Sequence, residues 1–143
     1  MQAFLTKAAD CHTQAAHITL PAELNALTLV ALFTALLWLP YLLARIGARG
    51  LMGTMDNPPS SPPPEPAWAG RAQRAHANAV ENLVVFAPIV LVAAMTGATN
   101  ATTAVAAQTY LLARVLHYAV YLLGIPVLRT LAFAVGWVCT LVI

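Results

Sequence analysis

The sequence predicts an all-α integral membrane protein built as a bundle of four transmembrane helices. Of its 143 residues, 60% are apolar and only 8% are charged, whereas roughly a quarter are charged in an ordinary soluble domain. The apolar residues also fall in runs of about twenty, the length that crosses a hydrocarbon core as a helix. Proline, glycine and asparagine punctuate the runs. The formal net charge is only +2 and the arginines are scattered, so the basic stripe of a nucleic-acid binder is missing. Cys11 and Cys139 are far apart and lack metal-ligand spacing, so no zinc site is signalled.

Residues 1–23 form an N-terminal arm without the basic start, apolar core and cleavage site of a secretory signal, so it is expected to be retained. Two readings of the arm stand open. One is an interfacial helix with Phe4, Ala8, Cys11 and Ala15 on its apolar face, the other a mobile arm. The four-helix transmembrane domain then occupies residues 24–143. Its first helix, residues 24–44, is uncharged and spans about 30 Å. Pro40 predicts a kink near its end, where Trp38 and Tyr41 suit an interface. Arg45, Arg49 and three glycines close the span. Residues 56–66 are dominated by proline, which rules out helix and sheet and makes this stretch a solvated tether.

The second helix covers residues 71–96, with Pro88 as a bend. The polar turn Thr96-Gly97-Ala98-Thr99-Asn100-Ala101 supplies caps for a third helix at residues 102–123. Gly124-Ile125-Pro126 breaks that helix, and Pro126 suits the first turn of a fourth at residues 127–143. Orientation follows from the arginines, which concentrate in short cytoplasmic loops. Arg45, Arg49, Arg71 and Arg74 flank the loop between the first two helices. Residues 45–74 are therefore expected in the cytoplasm and both termini outside. In an oxidising outer compartment Cys11 and Cys139 could pair, although Cys139 as a small apolar filler is the ordinary reading.

The polar residues inside the spans carry the functional reading. Arg74, Asn78 and Glu81 fall at i, i+4 and i+7 on the second helix, and Arg114, His117 and Tyr121 at i, i+3 and i+7 on the third, so each set shares one face. A carboxylate at Glu81 is costly in a bilayer unless a cation or water meets it, which makes it a functional-site candidate. Counting about 1.5 Å per residue places Glu81 and Arg114 at one depth, so an ion pair between them is expected. Arg129 lies just past the turn. These residues gather at the cytoplasmic side, as a binding pocket would require.

The pattern Arg74-x-x-x-Asn78-x-x-Glu81 before an apolar run with Phe86 and Pro88, followed by Ala113-Arg114-x-x-His117-x-x-x-Tyr121 and Arg129, resembles the MAPEG family, the membrane-associated proteins in eicosanoid and glutathione metabolism. The short polar loop after the second helix looks like its bacterial branch. The resemblance implies a homotrimer in a membrane, here a bacterial inner membrane, with glutathione as co-substrate bound between subunits. It implies that Arg74, Asn78, Glu81, Arg114, His117 and Tyr121 hold glutathione or frame its pocket. Arg45 or Arg49 would supply a cation from the neighbouring subunit. Arg129 would stabilise the thiolate, with Thr130 donating to the same sulfur. The implied function is that of a glutathione-dependent transferase or peroxidase acting on lipophilic electrophiles from the bilayer. The alternative is a non-enzymatic membrane subunit or scaffold that keeps the fold. A haem protein using His76 and His117 is a third class. Small residues Ala75, Ala79, Ala87 and Ala93 suggest the second helix as the lining of the three-fold axis.

Overall fold

The computed structural model describes residues 20–57 and 59–143, so residues 1–19 of the expected N-terminal arm and a pairing of Cys11 with Cys139 lie outside the described residues, while residues 22 and 23, expected in the arm, belong to the first helix. The described residues contain helices and no strands. In chain order the helices are α1 (Ala22–Leu36), α2 (Leu39–Met55), α3 (Ala67–Thr96), α4 (Ala101–Leu123) and α5 (Pro126–Val142). Two stretches, Ala22–Met55 and Ala67–Thr96, are long and apolar enough to cross a bilayer, and Pro126–Val142 is a shorter apolar helix.

α1 and α2 are one helical column broken at Leu37 and Trp38. Pro40 explains the break. It has no N–H to offer the carbonyl of Leu36 and its ring crowds that carbonyl, but it is well placed in the first turn of a new helix, where it sits in α2. The expected end of the first helix at residue 44 is not observed, because α2 continues to Met55. Arg45 and Arg49, one turn apart, stay helical and both grip Glu65 at the far end of the proline-rich segment. Within α2 the backbone departs from helical geometry at Gly50, whose φ of 72° a residue with a Cβ rarely adopts.

α3 begins at Ala67, directly after Pro66, whose extended backbone turns the chain into the helix. Its buried stripe is Ala69, Ala72, Ala75, Ala79, Phe86, Val90 and Ala93. This corrects the expectation that Ala75, Ala79 and Ala93 line an axis between subunits. They are used up inside one chain, where their small side chains let α3 pack closely on α1 and α4. Glu81 is turned outward by the same choice of face, two residues beyond the buried Ala79 and exposed.

α4 is the central helix, packed most extensively against α5 and also against α1 and α3. Its start is fixed by a capping box: Asn100 Oδ1 accepts from the N–H groups of Thr102 and Thr103, and Thr103 Oγ1 accepts from the Asn100 N–H. The Thr103 hydroxyl donates onward to Glu23 Oε1, so the first turn of α1 is tied to the first turn of α4. Glu23 is only 2% exposed. The core between the helices contains Ala26, Val30, Phe86, Val90, Ala106, Ala107, Tyr110 and Cys139. At its centre the rings of Phe86 and Tyr110 stack 3.7 Å apart and within 2° of parallel.

Because Thr103 joins the cap and the buried carboxylate, Thr103→Val is expected to leave Glu23 and the Asn100 N–H without that partner and to cost about 1–3 kcal/mol. Unfolding in detergent followed by circular dichroism checks this: Thr103→Val should lower the midpoint, and Thr102→Val, at an exposed neighbour, should leave it nearly unchanged.

Candidate functional site

The tight turn at Gly124-Ile125-Pro126 sets α4 and α5 side by side, and the site follows from that hairpin. Tyr121 and Arg129 lie four residues either side of Ile125, His117 and Phe133 eight, and Arg114 and Gly136 eleven. All three pairs meet. The Arg129 guanidinium lies over the Tyr121 ring at 4.6 Å, a cation–π contact. His117 packs against Phe133 with ring centroids 6.4 Å apart and meets Tyr121 edge-on at 5.5 Å. Arg114 fits against Gly136 so tightly that a Cβ there would stand 2.6 Å from Nη2. The turn permits this register because Gly124 takes a φ of 77°, in the left-handed region where glycine carries no penalty.

Arg114 does not pair with Glu81. Among the described residues its nearest hydrogen-bond acceptors are Asn78 Oδ1 at 3.5 Å and the Phe133 carbonyl at 3.4 Å, while Nε has no partner. The Tyr110 and Phe133 rings cover it at 5.3 and 5.6 Å, and it is 3% exposed. Shared depth does not bring the two charges together, because the rotation of α3 turns Glu81 to the exposed face. The alanine stripe of α3 aims Asn78 inward and leaves Arg74 and Glu81, four residues before and three after, exposed beside it.

Asn78, His117, Tyr121, Arg129, Thr130 and Phe133 line a pocket of about 200 Å³. Five of the expected site residues therefore converge: Asn78, His117, Tyr121, Arg129 and Thr130. Arg114 does not line the pocket; it is buried behind two residues that do, Asn78 and Phe133. Arg74 and Glu81 stand outside the pocket on the outer face of α3, and Arg45 and Arg49 are on α2, bound to Glu65. Thr130 Oγ1 donates to the Pro126 carbonyl at 3.0 Å, so it would have to rotate to reach a ligand. His76 bonds Tyr41 through Nδ1 at 3.0 Å while His117 sits among Tyr121 and Phe133, so the two histidines have separate neighbours.

The sequence model of the MAPEG family matches residues 25–143. The chain belongs to the MAPEG family. Neither a curated protein nor a solved structure gives a significant match. Membership places this chain in a membrane-associated family linked to glutathione and eicosanoid metabolism, in keeping with its two long apolar stretches.

In this MAPEG protein two residues outside the motif also shape the pocket and its surroundings. Phe133 and Gly136 were not singled out by the sequence reading, yet the first covers Arg114 and lines the pocket and the second makes room for Arg114. A signal was available: Arg129, Phe133 and Gly136 fall at i, i+4 and i+7, the face of α5 that mirrors the polar face of α4. Arg71 was read only as a flanking charge. It donates from Nε to the Leu122 carbonyl at 2.7 Å, holding the last turn of α4 where Tyr121 sits.

Gly136→Ala must push a buried guanidinium off its acceptors, and overpacking of this kind costs about 1–3 kcal/mol. A double-mutant cycle on unfolding stability tests the contact: the loss should be large in the native background and mostly vanish when Arg114→Met is already present. Equal losses in both backgrounds would show that Gly136 serves something other than Arg114.

Proposed function

We propose that this MAPEG protein is a membrane-embedded glutathione-dependent transferase or peroxidase acting on lipophilic electrophiles. It works as a homotrimer of four-span subunits in a bacterial inner membrane, with residues 45–74 in the cytoplasm and both termini outside. The observation that carries this reading is the convergence of Arg129, Tyr121, His117 and Asn78 on one pocket. A fixed guanidinium at the start of α5 adds its charge to the positive end of the helix, and both favour a thiolate over a thiol. Arg129 is four residues from the Ile125 N-cap, and its N–H bonds the Ile125 carbonyl at 3.2 Å, so it belongs to that first turn.

The pocket suits the thiol end of the ligand rather than a whole tripeptide. The remainder of glutathione extends past Asn78 onto the outer face of α3, where Arg74 is available for a carboxylate and Glu81 for the ammonium group. On that face a neighbouring subunit would close the site and relieve the exposed charge of Glu81 in the span. In conjugation the thiol proton is lost to water. The thiolate then forms a carbon–sulfur bond while the electrophile expels its leaving group, and Arg129 restrains the sulfur throughout. Thr130 can donate a second hydrogen bond once it releases Pro126. The lipophilic substrate approaches laterally from membrane lipid.

A second reading is a non-enzymatic membrane subunit or scaffold. One observation favours it: Glu65 already engages both Arg45 and Arg49 and offsets one of their two charges, so less free positive charge faces an anionic ligand.

Two substitutions separate the readings. Arg129→Leu should lower kcat for conjugation or peroxide reduction roughly a hundredfold or more, with glutathione binding by equilibrium dialysis nearly unchanged. Arg74→Ala should weaken binding itself by about tenfold. Wild-type protein that binds no glutathione in either assay would replace the enzyme with the scaffold.

A further inference from the structure

The arginines of α2 are occupied by the chain's own carboxylate. Glu65 Oε1 accepts from Arg45 Nε at 3.1 Å and from Arg49 Nη2 at 2.8 Å. Glu65 lies sixteen residues beyond Arg49 in sequence, between Pro64 and Pro66, and directly before the turn into α3. The flanking prolines fix the backbone there, so the side chain is presented at little entropic cost. Both arginines and the glutamate are partly buried, with side chains 29%, 14% and 19% exposed.

The arrangement has spare capacity for a ligand. Only one carboxylate oxygen is engaged, although a guanidinium offers a fork of donors that suits both oxygens of a carboxylate. Arg49 Nε is a buried donor without a partner. A pocket of about 290 Å³ opens beside Arg49 and is lined by Gly53, Asp56 and Asn57 among others. Two cations holding one carboxylate by one oxygen form a receptor that a second carboxylate can contest.

We propose that Glu65 is an internal competitor, a carboxylate of the chain that holds the Arg45–Arg49 receptor until a carboxylate of the anionic ligand displaces it. The proposal rests on the glutathione reading for the identity of the ligand and goes beyond it in assigning Glu65 control of affinity. Removing the Glu65 charge frees the pair, so the ligand no longer has to exchange one carboxylate for another. A Glu65 that only fastened the proline-rich segment would act in the opposite direction, since its loss would disorganise the arginines and weaken binding.

The test measures two quantities on full-length protein in detergent, for wild type, Glu65→Gln and Glu65→Asp. The first is the rate at which phenylglyoxal modifies Arg45 and Arg49, read by peptide mass spectrometry. The second is glutathione affinity by equilibrium dialysis. Thermal unfolding of each variant establishes that it is folded, and Glu65→Asp, which keeps the charge on a shorter arm, stands in if Glu65→Gln is not. The expected result is faster modification and about tenfold tighter glutathione binding in Glu65→Gln, a smaller change in Glu65→Asp, and loss of the gain when Arg45→Gln and Arg49→Gln are added. Unchanged modification rates, or glutathione binding that is unchanged or weaker in Glu65→Gln while wild type binds, overturn the competitor. Faster modification with no glutathione binding in any variant overturns glutathione as the ligand and, with it, Glu65 as its competitor.

Discussion

The structure depends on burying a guanidinium with no carboxylate beside it among the described residues. Arg114 lies on the central helix, and charge in such a place is costly in a bilayer unless its surroundings compensate. Here the compensation is distributed. An amide oxygen comes from α3, a backbone carbonyl and an aromatic face from α5, and a second aromatic face from α4 itself. Three helices must be in register for those groups to converge. Anything larger than Gly136 requires the Arg114 guanidinium to shift, and the three contact pairs are each equidistant from Ile125 across the α4–α5 turn.

That register also builds the pocket. The face of α4 that carries Arg114 continues to His117 and Tyr121, and the face of α5 that carries Gly136 continues to Phe133 and Arg129. Fixing the deep pair therefore fixes the outer pairs, and the Arg129 guanidinium is held over Tyr121 before any ligand arrives. A preset cation is what thiolate stabilisation needs, because a side chain that must reorganise gives back part of its electrostatic benefit. At the opposite end Glu23, Thr103 and Asn100 tie α1 to α4, while Arg71 ties α3 to the last turn of α4 near the pocket.

Much of this was legible in the sequence. Hydropathy separated the helices, and Asn100, Gly124 and Pro126 marked the boundaries through capping and turn chemistry. Helical spacing put Arg114, His117 and Tyr121 on one face. The rotation of α3 was not legible. Alanines surround the helix at positions 67, 69, 72, 75, 77, 79, 87, 93 and 94, so composition does not say which of them are buried, and the expected face was wrong for Ala75, Ala79 and Ala93. Glu81 was paired with Arg114 on shared depth and on the spacing within each helix, and neither constrains how one helix is rotated against the other. The Glu65 contact joins a proline-rich segment to a helix, and no periodicity reports that. The continuation of α2 to Met55 was hidden by glycines that ordinarily end helices.

The central claim is that the Arg129 end of the pocket holds a thiolate. It is tested most directly by titrating glutathione into purified wild-type protein at neutral pH and recording the ultraviolet difference absorbance of the thiolate. The account predicts a saturable thiolate signal that is absent from glutathione alone under the same conditions. Bound glutathione that remains a thiol, with no such absorbance, would contradict it.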